Sequence, residues 1–249
     1  MLSCFISWGG GSIVLWLASN NEGIGSLSFN SPIFLILAGA PSLAAISIVT
    51  FRHGVVGVKQ LLSMFFSSYR WYWLVFAILI IPIVFFVILG VSATYRGIEF
   101  SDVLSSYYLW LVSIFTTTVL FSNPASFSEE LGWRGFALPI LLEITTPFRA
   151  SIVVATMWII WHLPAFFFSD AMAVETSNIV WWIMSTLAIT LIMTSLFIRS
   201  NGNILAAGVL PHMFINSSSG LIDTGSTDSL LMLIIAYITF VLLESPRRQ

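Results

Sequence analysis

Apolar residues along this chain come in long unbroken runs separated by short polar stretches, without the strict alternation of a half-buried strand. Runs near 2–18, 32–51, 71–92, 103–122, 151–168, 179–198, 203–219 and 229–243 come close to the roughly 20 residues a helix needs to cross the hydrocarbon layer. Backbone groups in lipid must pair within their own segment, so such runs predict helices, whereas a barrel would need short alternating segments. The expected fold class is therefore all-α, a polytopic membrane helix bundle of about eight transmembrane helices. The stretch 124–143 is less apolar and follows Ser-Asn-Pro, which predicts a broken or re-entrant helix continuing the fourth span. The first run is interrupted by three glycines at 9–11 and has no basic leader, so it reads as a short first span rather than a cleaved signal segment.

Composition strengthens the membrane reading. Only 8% of the 249 residues are charged and 58% are hydrophobic, whereas a soluble domain carries about 25% charged residues. Arg52, Lys59, Arg70, Arg149, Arg199, Arg247 and Arg248 fall in alternate loops and at the end of the chain, which predicts that both termini are cytoplasmic. A net charge of -2 and the lack of a basic patch predict no nucleic-acid partner. The single cysteine, Cys4, allows no internal disulfide and no cysteine metal site. No internal repeat occurs, so residues 1–249 are expected to form one domain, and nothing in the sequence specifies an oligomeric state.

Where charge is this scarce, each ionisable group inside an apolar segment is a functional-site hypothesis, because it costs several kcal/mol unless paired or hydrated. The stretch Ser-Glu-Glu-Leu-Gly-Trp-Arg at 128–134 stands out. Glu130 and Arg134 are four apart on one helix face and should form an ion pair, while Glu129, about 100° round the helix, is left for chemistry as a general base. A structural reading competes: Ser126, three residues before Glu129, fits a capping box, with Asn123 and Pro124 marking a helix start. His162 lies near the end of another apolar run, before Pro164, and Phe166 follows four residues on. His212 and Asn216, also four apart, share a face and can donate to one oxygen; as an alternative they form a polar seam between helices. His53 reads as a solvated loop residue at a membrane edge, the ten tryptophans as interfacial or core residues, and the small residues from Gly39 to Ala45 as a surface for close helix packing.

Together these segments resemble the CPBP family of intramembrane proteases, also called the Abi or type II CAAX prenyl endopeptidase family. The resemblance rests on Glu129, Glu130 and Arg134 in "EELGWRGFALP", His162 and Phe166 in "WHLPAF", and His212 and Asn216 in "HMFIN". It implies a membrane-embedded endopeptidase in which Glu129 and His162 activate a water, His212 and Asn216 stabilise the oxyanion, and Glu130, Arg134 and Phe166 support them. The implied partners are membrane lipid and a membrane-associated or lipidated peptide substrate. No cofactor is favoured. In a metal-dependent alternative zinc would be held by Glu129, His162 and His212, although the histidines lack the close helical spacing of a "HExxH" site. A transport path lined by the same charges, or a non-catalytic immunity or scaffold protein, are the alternatives from other functional classes.

Overall fold

A computed structural model of the chain describes residues 2–4, 8–9, 36–67, 70–120, 124–168, 179–218 and 226–244. No strand occurs among them. The principal helices are α1 (Ala40–Ser63), α2 (Trp71–Arg96), α3 (Phe100–Leu120), α4 (Pro124–Gly132), α5 (Leu138–Ile144), α6 (Pro147–Phe168), α7 (Ile179–Arg199), α8 (Leu210–Ser218) and α9 (Ser226–Glu244). Short π-helical turns, Trp133–Ala137 and Leu205–Val209, join α4 to α5 and lead into α8. The runs expected from 71–92 onward coincide with helix to within a few residues, whereas the run at 32–51 continues as helix well beyond 51 to Ser63, so that Arg52 and Lys59 are helical and not in a loop, and most of 2–18 lies outside the described residues. The motif region 124–143 is helical throughout, its register broken by the first π turn.

Three described helices, Ala40–Phe66, Trp71–Arg96 and Ile179–Arg199, are long and apolar enough to cross a membrane, and Pro147–Leu163, Leu205–Asn216 and Leu230–Glu244 are shorter apolar helices. Their outer faces are apolar too. On α2, Leu79, Ile83, Val87 and Val91 form an exposed stripe at four-residue spacing, while Ile81, Val84, Phe85 and Ile88 are buried. A helix that is hydrophobic all round has lipid on one side and protein on the other. The chain is an integral membrane protein built as a helix bundle.

Between lipid-facing helices, close approach and internal hydrogen bonding replace the hydrophobic drive. Helix α7 is the central element, buried almost continuously from Ser185 to Phe197 and packed against α6 and α9. Its hydroxyls bond back one turn: Thr186 to the Trp182 carbonyl (2.8 Å), Thr190 to that of Thr186 (2.7 Å) and Thr194 to that of Thr190 (2.9 Å). Helix α1 packs against α4 through the small residues expected to do so, with Ala40, Pro41, Ser42, Ala44 and Ala45 all buried. The approach is close enough that a Cβ on Gly132 would run into the Pro41 backbone, and the Gly132 amide donates to Ser42 Oγ at 3.2 Å.

Helix α1 is kinked at Gly54 (φ 60°, ψ −156°), a conformation open essentially to glycine alone. His53, just before the kink, is exposed as expected, but it is helical and not in a loop. The end of α1 leads into a turn that is tied to the start of the His212 segment. Asn203 Nδ2 donates to the carbonyls of Phe65 (3.2 Å) and Ser67 (3.0 Å), and its Oδ1 accepts from the Ala206 amide at 2.9 Å. That last bond caps the helix carrying His212.

Candidate active site

The motif residues converge in the middle of the bundle. Glu129 is 3% exposed, His212 is 2% exposed, and Glu130 and Arg134 are fully buried. The expected ion pair forms one turn along α4, with Arg134 Nη1 at 2.8 Å from Glu130 Oε1. The same oxygen accepts from His212 Nδ1 at 2.9 Å, across 82 residues of sequence. Glu130 is thus the carboxylate that joins the first motif to the third. Its other oxygen, Oε2, has no hydrogen-bond partner among the described residues and faces Gly208, where a Cβ would collide with it. The glycine of the second π turn makes room for the carboxylate.

Glu129 points elsewhere: its Oε2 accepts a hydrogen bond from the Trp158 indole Nε1 at 2.9 Å. Ser126 lies inside α4, and its buried Oγ has no hydrogen-bond partner among the described residues, so the capping-box reading of Glu129 does not hold. Pro124 is the first residue of α4, as a proline at a helix start should be.

Trp158 is the member of the site that sequence reasoning missed, having been grouped with interfacial and core tryptophans. It is 4% exposed. The Arg134 guanidinium carbon lies 4.6 Å from its ring centroid, a cation–π geometry. The His212 ring meets it edge-on at 4.8 Å and 74°. Its carbonyl oxygen accepts from His162 Nδ1 at 3.0 Å. The available signal was spacing, since Trp158 stands one turn before His162 on α6. Arg134 Nη2 also lies 2.9 Å from Met193 Sδ of α7, while its buried Nε has no hydrogen-bond partner among the described residues.

A carbonyl or ionised carboxylate can only accept, so the Nδ1 atoms of His162 and His212 both carry protons and Nε2 is the nitrogen left for other partners on each ring. His162 is half-buried and packs against Trp161 (4.5 Å) and Trp182 (5.2 Å). Phe166 meets the same Trp182 at 4.7 Å, so it borders His162 through a shared ring. Helix α6 continues through Pro164 to Phe168. Asn216 is half-buried, one turn after His212 on α8.

Residues 108–218, which hold all of these side chains, match the family model described as Rce1-like, type II CAAX prenyl endopeptidase Rce1-like. Over that segment the chain is similar to the Rce1-like family. A curated relative, CAAX prenyl protease 2 of Methanococcus maripaludis, is 31% identical over 99 residues. That alignment covers 38% of this chain and 36% of the relative, so the chain spans about a third of the length of the relative it matches. The Rce1-like segment runs from α3 to α8 and includes both π turns; α1, α2 and α9 lie outside it. Among the described residues, no three His, Cys, Asp or Glu side chains converge as a metal-ligand group. Glu129, His162 and His212 each contact Trp158, through its indole N–H, its backbone carbonyl and its ring respectively.

Proposed function

We propose that this chain is an intramembrane endopeptidase that hydrolyses a peptide bond in a membrane-associated or lipidated, CAAX-like substrate, using Glu129 and His162 to activate water. The observation that carries the reading is the division of labour between the adjacent glutamates within the Rce1-like segment. Glu130 is committed to Arg134 and His212, whereas the hydrogen bond that Glu129 makes among the described residues comes from a neutral indole, on Oε2. Glu129 Oε1 is then the oxygen that takes a proton from the attacking water. His162, with Nδ1–H held by a carbonyl, offers a lone pair at Nε2 to orient that water.

His212 fits the charge that develops on the substrate carbonyl. Its Nδ1–H on the Glu130 carboxylate fixes the orientation of the ring, in the way a buried carboxylate orients the histidine of serine proteases, and leaves Nε2 for the oxyanion. Asn216, one turn on, is the second donor, and such preorganised donors contribute the largest single part of most acyl-transfer catalysis. The substrate approaches from the bilayer or its cytoplasmic interface, with both chain termini on the cytoplasmic side.

Purified protein in detergent, challenged with quenched peptides both lipidated and plain, tests this. Cleavage should fall at least about a hundredfold in kcat for Glu129→Gln, His162→Ala and His212→Ala. Cleavage by Glu129→Gln at the parent rate would overturn the mechanism. No step in this reading is assigned to a metal; full activity after verified metal removal is the expected result of a chelator arm.

A further inference from the structure

We infer that Trp158 is a positioning residue for the catalytic glutamate, a further member of the site that aligns all three motif segments through one side chain and one carbonyl. The inference rests on the proposed Glu129 mechanism and adds to it the residue that sets the geometry of the base.

Four contacts converge on Trp158. The indole N–H holds Glu129 Oε2 at 2.9 Å. The ring face carries the Arg134 guanidinium at 4.6 Å. The same ring meets the edge of His212 at 4.8 Å. The backbone carbonyl holds His162 Nδ1 at 3.0 Å. Displacing residue 158 therefore moves both the glutamate and the histidine assigned to the water, and it loosens the cation that balances Glu130.

The chemistry of the donor matters as much as its place. Two carboxylates and one guanidinium are buried together, and a second cation on Glu129 would neutralise the base it positions. A neutral N–H orients a carboxylate without neutralising it. By occupying Oε2, the indole also selects Oε1 as the oxygen that meets water. Phenylalanine would keep the ring face for Arg134 and His212 and the carbonyl for His162, while removing only the donor.

The indole N–H resonances of uniformly 15N-labelled protein in detergent micelles provide a readout that needs no substrate. Ten tryptophans give ten signals, and that of Trp158 is the one lost in Trp158→Phe or, should that variant not fold, in Trp158→Tyr. Replacing Glu129 by Gln should shift this signal more than any other indole. An unmoved Trp158 signal overturns the inference, whether or not the protein cleaves peptides. In the cleavage assay Trp158→Phe should lower kcat about ten- to hundredfold, the range for losing a hydrogen bond to a charged group, with KM within about twofold. In a Glu129→Gln background it should have no further effect, because the bond it removes no longer serves a base. Equal losses in both backgrounds would reduce Trp158 to a packing residue and overturn the inference. Absence of cleavage by the parent chain, with the indole response intact, would instead overturn the proposed protease function.

Discussion

Replacing Glu130 by Gln tests the buried charge balance most directly. Both partners of the Glu130–Arg134 pair have fully buried side chains, so the substitution strands a guanidinium where water cannot replace the lost anion. Breaking such a pair from one side costs about 3–5 kcal/mol. Two features place this case near the lower end. The amide oxygen of Gln can still accept from His212, and Arg134 keeps its place over the Trp158 ring. A loss of about 3 kcal/mol lowers the melting temperature of a chain this size by about 6–12 °C. Circular dichroism in one detergent at fixed protein concentration measures it. The decisive comparison is the double variant Glu130→Gln/Arg134→Met, which removes both charges and places a thioether next to Met193. It should recover at least half of the single-variant loss, because a buried pair replaced by apolar groups is often neutral in net stability. A single variant melting within about 2 °C of the parent, or a double variant as unstable as the two losses added, would refute the reasoning.

Other outcomes follow from the packing. Gly208→Ala brings a Cβ onto Glu130 Oε2 and should cost about 1–3 kcal/mol, as overpacking does; Gly90→Ala, where a Cβ meets nothing within 4 Å, should leave the melting temperature unchanged. Asn203→Ala removes a helix cap and two ties to the end of α1 and should cost about 1–3 kcal/mol, read by thermal melting. Gly132→Ala, which drives a Cβ into the Pro41 backbone, should likewise destabilise by about 1–3 kcal/mol, and an unchanged melt would refute the close packing of α1 on α4.

How legible each feature was depended on how far apart its parts lie in the chain. The helices from 71–92 onward were readable because crossing lipid sets both their length and their composition. The Glu130–Arg134 pair was readable because one helical turn brings its members together wherever the helix packs. The Trp158–Glu129 bond spans 29 residues and the His212–Glu130 bond spans 82, and neither leaves a local mark. The π turns at Trp133–Ala137 and Leu205–Val209 were equally silent, since the extra residue that shifts the helix face has no compositional signature. Ser126 misled for the opposite reason. Its spacing to Glu129 satisfied a local rule in a place where the helix had already begun.

The sequence by itself determined that this is a membrane helix bundle, where its helices run, and which scarce polar groups had to find partners inside it, because lipid leaves a chain no other way to satisfy backbone and charge. Tertiary structure alone decided which partner each group found on another helix. Glu129 and Glu130 are chemically identical neighbours about 100° apart around a helix. One therefore faces α6 and meets an indole, while the other faces the His212 segment and meets an imidazole together with its own arginine. That assignment depends on the packing of helices distant in sequence, and no local pattern encodes it.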